Sequence, residues 1–255
     1  MVKGLEMFKT FFKDFSDSYI LIGGAACDVL FTQAGLSFRA TKDLDVVLVI
    51  EALNANFVRQ FWKFVKSGRY QIQQKEERQK RYYRFLKPKQ EEYPAQLELF
   101  ARNPDLLDLA EGTHLTPIPV EEDLSSLSAI LMDEDYYDFI LEQSVLADDL
   151  HLATAEALIC FKAKAFLDMR FLKHQGVKVD ERDIRKHKND VIRLTALLSE
   201  GRSIPLPESV KKDMRTFVSI LREEPPDIKA IAKTMRIPLP DVETILTQIK
   251  QTFLL

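Results

Sequence analysis

Two aspartates separated by one residue follow a glycine pair in this chain, and their types and spacing are suited to chemistry. Asp43 and Asp45 stand at the start of the apolar run 44–50. In a β-strand residues i and i+2 point to the same side, so we expect the two carboxylates to project together. Like charges that close repel each other, and a divalent cation with oxygen ligands, Mg²⁺ or Mn²⁺, would neutralise them. The spacing therefore predicts a metal site, with a solvated strand entrance as the alternative.

Gly23 and Gly24 lie between a short apolar run, 19–22, and a helical pattern over 24–33. A glycine turn that opens a helix lets backbone N–H groups approach an anion, and the helix dipole adds a favourable field. We therefore predict a cradle for phosphate groups at this turn. A phosphate cradle together with metal-binding carboxylates is the equipment of phosphoryl or nucleotidyl transfer.

Glu98 is a third candidate carboxylate, because it interrupts the apolar stretch of a predicted strand at 95–101. Its predicted role is metal ligation, beside Asp43 and Asp45, or deprotonation of an attacking hydroxyl group. The alternative interpretation is an exposed residue on an edge strand.

The composition is that of a soluble globular protein, with 255 residues, 46% hydrophobic and 29% charged content, and a net charge of −3. No apolar run approaches the length of a membrane span, and the amphipathic N-terminus does not resemble a secretory signal. Cys27 and Cys160 lie in apolar helical patterns and are expected to be buried hydrophobes in a reducing compartment. These features predict a cytoplasmic protein without a membrane partner.

The hydrophobic periodicity changes near residue 150, from mixed helices and strands to helices alone. We therefore predict an α/β (α+β) fold with a mixed sheet in 1–150 and a helical domain in 151–255 that completes the nucleotide cleft. The predicted strands are 19–22, 44–50, 70–74, 81–86 and 95–101, with extended segments at 117–120 and 126–132. The predicted helices are 4–17, 24–33, 54–67, 153–174, 180–199, 207–223, 226–235 and 239–252.

The ordered set of Gly23-Gly24, the segment Arg39-x-Thr41-x-Asp43-x-Asp45 and the isolated Glu98 resembles the nucleotidyltransferase superfamily. Within it, the chain is most similar to the AbiEii/AbiGii-type toxins of abortive-infection and type IV toxin–antitoxin systems. Segments 126–137, 158–170 and 183–191 extend the resemblance, which covers residues 18–198. It implies a nucleotidyltransferase domain followed by a helical bundle, a nucleoside triphosphate substrate, an RNA acceptor such as tRNA, and a cognate antitoxin protein.

The resemblance also implies that Thr41 contacts the nucleotide, that a later lysine binds its phosphates and that a later aspartate supports the site. On a helical wheel Lys162 falls on an apolar face, whereas Lys164 falls beside Asp168. A lysine on an inward face needs a counter-charge, so we assign the phosphate contact to Lys162; a snorkelling lysine is the alternative. Asp190, next to an apolar stretch, is preferred as the late aspartate over Asp183, which could cap or simply solvate the first turn of the same helix. His187 is expected on the helix surface.

The segment 69–89 carries eight Lys or Arg residues against two Glu, a net charge of +6, with interleaved aromatic residues. Phosphates attract such charges and aromatic rings stack on unpaired bases, so we expect RNA contacts here at Arg81, Tyr82 and Arg84. A solvated hairpin whose charges protect a sheet edge is an equal alternative.

These observations together predict a Mg²⁺-dependent nucleotidyltransferase that moves a nucleoside monophosphate from a triphosphate to an acceptor hydroxyl. Two alternatives use the same residues. One is a catalytically silent module of the same fold that binds a nucleotide or a partner. The other is a kinase-like enzyme that transfers the terminal phosphate.

Overall fold

The computed structural model describes residues 2–49, 52, 54–72, 82–100, 130 and 133–255. Its strands are β1 Tyr19–Ile22, β2 Asp43–Leu48, β3 Gln71–Ile72, β4 Tyr82–Leu86, β5 Gln96–Phe100, β6 Ser144–Ala147 and β7 Leu150–Ala153. Its α-helices are α1 Leu5–Phe12, α2 Gly23–Gln33, α3 Ala55–Gly68, α4 Glu134–Glu142, α5 Ala155–His174, α6 Glu181–Thr195, α7 Glu208–Glu223, α8 Ile228–Met235 and α9 Val242–Phe253. A 3₁₀ segment, Lys13–Ser18, joins α1 to β1.

The described strands form one seven-stranded sheet in the order β3-β4-β5-β2-β1-β7-β6. Strand β2 pairs parallel to β5 and antiparallel to β1, so the sheet is mixed. Both β2 and β5 have neighbours on each side, so both are interior strands of the described sheet. The predicted mixed sheet with helices concentrated in the C-terminal part of the chain is confirmed.

The chain divides into two compact units. The first unit takes its described residues from Met1–Val29, Ala40–Leu124 and Ser144–Ala153, and it contains the whole sheet. The second takes its described residues from Leu30–Arg39, Ser125–Gln143 and Thr154–Leu255.

One face of the sheet in the first unit is covered by aromatic side chains. Helix α1 contributes the buried residues Phe8 and Phe12, and α3 contributes Phe61 and Phe64. Phe85 of β4 packs edge-on against Phe61. Asn54 begins α3 as its N-cap, since its side chain accepts hydrogen bonds from the backbone N–H groups of residues 56 and 57. Because side chains alternate along a strand, strand residues next to a position that faces the aromatic side chains point to the opposite face of the sheet.

The second unit is helical from α5 onward, as the periodicity predicts. Its helices begin at side-chain caps, Thr154 for α5, Asp180 for α6, Asp227 for α8 and Asp241 for α9. Gly176, with φ +83°, lies in the turn between α5 and α6, a conformation that glycine adopts without strain. Along the described residues, no helix has both the length and the apolar character needed to cross a membrane.

Two features differ from the sequence prediction. The hairpin of β6 and β7 turns at Asp148 and Asp149, which both have positive φ, so it lacks the glycine that usually marks such a turn. Helix α4 follows a stretch that we expected to be extended; at Ile130, the described position within 126–132, the chain is helical. Residues 117–120 lie outside the described part of the chain.

Candidate functional site

The predicted carboxylates lie on the face of the sheet opposite the aromatic layer. Asp43 and Asp45 occupy alternate positions of β2, and the register pairs Asp45 with Ile22 of β1 and with Glu98 of β5. The prediction that the aspartates share a side of one strand is confirmed. Neighbouring strands are about 4.8 Å apart, so Asp45 and Glu98 are direct neighbours across the β2–β5 pair.

Glu98 is buried, with 4% of its side chain exposed, on an interior strand. The alternative of an exposed edge residue is therefore wrong. The amide Nε2 of Gln96 donates a hydrogen bond to Glu98 Oε1 at 2.6 Å, which orients the carboxylate. Gln96 pairs in register with Asp43. Sequence reasoning missed this amide, although its i, i+2 spacing from Glu98 was the available indication.

The glycine pair touches the same site. Gly23 has φ +66°, and a Cβ atom at this position would overlap the carboxylate oxygen Oδ2 of Asp45. A Cβ on Gly24 would lie 2.6 Å from Thr41 Oγ1. The backbone at the start of α2 is thus packed directly against Asp45 and Thr41, and only glycine permits this approach. Helix α2 has no acidic residue in its first turn, so its dipole there is not offset locally.

The chemistry of these donors suits a hard divalent cation, since carboxylate oxygens are its preferred protein ligands. Among the described residues, however, no three or more His, Cys, Asp or Glu side chains are gathered closely enough to hold a metal ion. Gln96, an amide, takes the register position opposite Asp43. Two aspartates on one strand are the part of the arrangement that fits Mg²⁺, which commonly binds one or two carboxylates together with substrate phosphates.

Lys162 and Asp190 meet in the second unit. Lys162 is 3% exposed and Asp190 is fully buried, and Lys162 Nζ lies 3.6 Å from Asp190 Oδ2. Arg39 donates from Nε to Asp190 Oδ1 at 2.8 Å and from Nη2 to Oδ2 at 2.6 Å, while Arg193 Nη1 lies 3.3 Å from Oδ1. Burial alone would raise the pKa of Asp190, but Lys162 and the two arginines outweigh it and hold the pKa below its ordinary value.

The assignment of Lys162 over Lys164 to the inward face of α5 is confirmed. Lys164 Nζ pairs with Asp168 at 2.7 Å, as its i, i+4 spacing predicts. The expectation for His187 is wrong, because it is buried within α6 with 7% of its surface exposed. Burial, followed by the charge of Lys162, lowers the pKa of His187 well below its ordinary value, so the ring is neutral at pH 7. Both cysteines are buried and unbridged.

The structure describes the residues predicted to contact RNA only in part. Arg81 lies outside the described residues, and for Tyr82 and Arg84 the structure describes the backbone of β4 alone, with Arg84 opposite Glu98 in the register. Two other aromatic residues of this segment, Tyr70 and Phe85, are buried in the aromatic layer, and the hydroxyl of Tyr70 donates to Pro94 O at 2.8 Å. These two rings are therefore not available to stack on bases.

Comparison with known proteins gives a similarity to a solved structure. No protein-family model matches the chain, and no curated protein matches it. A solved structure of an antigenic nucleotidyltransferase-like protein from Paracoccidioides brasiliensis is similar over 91% of this chain and 94% of its own, with 18% sequence identity and a TM-score of 0.43.

Proposed function

We propose that this protein is a Mg²⁺-dependent nucleotidyltransferase, which transfers a nucleoside monophosphate from a triphosphate to an acceptor hydroxyl group. The observation that carries the proposal is the register of β2 and β5, which sets Asp45 beside Glu98 on the sheet face that carries Asp43. The contact between the Gly23 backbone and Asp45 supports it, because a glycine turn and a carboxylate then serve one site.

In the proposed reaction each residue has a separate task. Asp43 and Asp45 would hold the cation, which supplies Lewis-acid polarisation of phosphoryl oxygens when bound. The backbone N–H groups at Gly23 and Gly24 would donate hydrogen bonds to phosphate oxygens at the helix start. Glu98, oriented by Gln96, accepts the proton of the attacking hydroxyl or serves as a further ligand. The acceptor oxygen bonds to the α-phosphorus while the bond to the leaving pyrophosphate breaks.

The family resemblance assigns phosphate binding to Lys162, nucleotide contact to Thr41 and a supporting role to Asp190, and these assignments are part of the proposal. The same resemblance makes RNA, including tRNA, the acceptor that we propose, with a toxin role and a cognate antitoxin. A direct test of toxicity is growth arrest on induced expression of the unmutated chain, compared with the Asp45→Asn variant. Equal arrest by both proteins would contradict a toxin that acts through this site.

The test of the reaction is incubation with Mg²⁺, total RNA and each nucleoside triphosphate labelled with ³²P at either the α- or the γ-phosphate. We expect α-label to enter RNA with the unmutated protein and to fall to background with Asp45→Asn, which removes a negative charge but little volume. Asp138→Asn is the matched control, because Asp138 is an exposed aspartate on α4. It should label RNA as well as the unmutated protein does.

Two results would overturn the proposal in different ways. Transfer of the γ-label in place of the α-label would identify a phosphotransferase. Triphosphate binding by calorimetry, with neither label transferred to RNA, would identify a binding module without nucleotidyl transfer to this acceptor.

A further inference from the structure

Several basic residues form a cluster around Asp190, and its carboxylate does not accept a hydrogen bond from every one of them. Lys162 Nζ, at 3.6 Å from Asp190 Oδ2, is beyond hydrogen-bond distance, and an ammonium group has three N–H donors. In the described part of the chain, Lys162 makes no other ion pair. Its side chain is nevertheless almost completely buried, a costly state for a charge without acceptors.

Lys186 lies in the same cluster. It precedes Asp190 by four residues on α6, so both residues lie on one side of the helix. Lys186 is half-buried, and among the described residues no hydrogen bond or ion pair engages it. Burial lowers the pKa of Lys186, and the neighbouring charges of Arg39 and Lys162 lower it further. The helical spacing thus places Lys186 on the side of α6 that carries Asp190, whose carboxylate pairs with Arg39 and Lys162.

His187 provides a third nitrogen atom, beside the Nζ atoms of Lys162 and Lys186. Its Nδ1 atom is buried and has no hydrogen-bond partner among the described atoms. The charges that act on the ring come from Lys162 on α5, from Asp190 and Lys186 on α6, and from Arg39 before β2. A buried ring nitrogen without a partner is uncommon, because such groups are normally paired with protein or solvent.

We propose that Lys162, Lys186 and His187 form a binding site for a phosphate group that carries two negative charges. Such an oxyanion offers enough acceptors for both ammonium groups and the imidazole, and its charge compensates the repulsion between the lysines. Asp190 then acts as a positioning residue, because its carboxylate accepts hydrogen bonds from Arg39 and lies 3.6 Å from Lys162 Nζ. Lys186 and His187 are phosphate-binding residues beyond those that the family resemblance implies.

The ligand is the phosphate chain of a nucleotide or a free polyphosphate, which present the same chemistry. This choice rests on the proposed function, whereas the site itself rests on the cluster. Burial is the largest cause of the lowered pKa of His187 and the charge of Lys162 is the next, and a bound dianion beside the ring would oppose the effect of that charge and favour the protonated ring. The neutral histidine therefore takes up a proton and donates it as a hydrogen bond to a phosphate oxygen.

The test is calorimetric titration of the full chain with tripolyphosphate, pyrophosphate, ATP and AMP, without added metal. We expect all four to bind, since each ends in a phosphate group that carries two negative charges near neutral pH, and Lys186→Met should reduce the affinity about ten- to a hundredfold. Lys186→Arg, which keeps the charge, should restore part of it. Lys188→Met is the matched control, since Lys188 lies on the same helix but donates to Glu224 O at 2.9 Å. It should bind as the unmutated protein does.

Titration in two buffers of different ionisation enthalpy measures proton uptake, which we expect to be smaller in His187→Gln. If Lys186→Met bound each of the four ligands as tightly as Lys188→Met does, the proposal would be overturned. Binding of ATP but not of tripolyphosphate would also overturn it, because recognition would then depend on the nucleoside. Transfer of α-label to RNA in the absence of polyphosphate binding would leave the proposed function standing and remove this site alone.

Discussion

Gly23 meets two constraints at once, and they can be separated by experiment. Its positive φ disfavours any side chain, and its Cβ position is occupied by the Asp45 carboxylate. The first constraint concerns stability, since a left-handed backbone costs an alanine about 1–2 kcal/mol. The second concerns the site, since an added methyl group must displace the carboxylate.

Gly23→Ala should therefore lower both the free energy of unfolding, by about 1–2 kcal/mol, and the transfer rate, by about a hundredfold, because the catalytic geometry shifts. Gly35→Ala is the matched control: Gly35 has φ +70°, but its Cβ position is open. It should show the stability loss without the rate loss. Urea denaturation and the α-label assay measure the two effects. Equal rates for the two variants would contradict the contact with Asp45.

His187 gives the protein a pH dependence that follows from its burial. The ring has a pKa well below 6.5 in the folded state and an ordinary value in the unfolded chain. Well above pH 6.5 neither state binds the proton, so the titration of His187 does not affect stability there. As the pH falls below 6.5, the unfolded state gains the proton first, and stability is lost.

The free energy of unfolding should thus decrease between pH 6.5 and pH 5 by at most about 1.4 kcal/mol per pH unit from this one group. His187→Gln should flatten the curve in this range, and substitution of the exposed His174 by Gln should not. Urea denaturation at half-unit pH intervals provides the measurement. A slope that is unchanged in His187→Gln would show that other groups dominate.

At the scale of elements, α3 anchors the aromatic layer behind the sheet, and its start depends on one side chain. Asn54 Oδ1 accepts hydrogen bonds of 3.0 Å from the backbone of both Asn56 and Phe57. These are two of the N–H groups that a helix start otherwise leaves unpaired. The cap lies on a different element from the carboxylates, so it can be altered without changing a proposed site residue.

Asn54→Ala should lower the free energy of unfolding by about 1 kcal/mol, because the two N–H groups lose their acceptor. Asn54→Asp keeps an acceptor oxygen at the cap and should lose only a small fraction of this free energy. Chemical denaturation of both variants beside the unmutated protein tests the assignment. Equal losses in the two variants would mean that the amide has another structural role.

Over the whole molecule, the sequence predicts best those features that arise from local patterns. The strand 19–22 has the predicted bounds, and the helices from α5 onward begin and end within a few residues of their predicted positions, because caps and periodicity are local. Asp43 and Asp45 lie on the same face of β2 because side chains two residues apart in a strand point to the same side. The hairpin at Asp148 and Asp149 was missed because its positive φ values occur at aspartates.

Contacts between distant residues were harder to predict. Glu98 was proposed from its apolar surroundings, but its pairing with Asp45 depends on strand order, which no local pattern contains. Arg39 and Asp190 are 151 residues apart, and their bidentate contact is set by packing within the second unit. The environment of His187 likewise depends on α5, so a helical wheel of its own helix could not show it.

The aromatic layer also gives the protein a built-in optical reporter. The chain contains a single tryptophan, Trp62, which is 5% exposed and packs edge-on against Phe61 and Phe85 in the first unit. Intrinsic emission excited at the indole band therefore follows the environment of that core. A red shift during denaturation reports solvent entry behind the sheet, whereas far-ultraviolet dichroism is weighted towards the helices of the second unit.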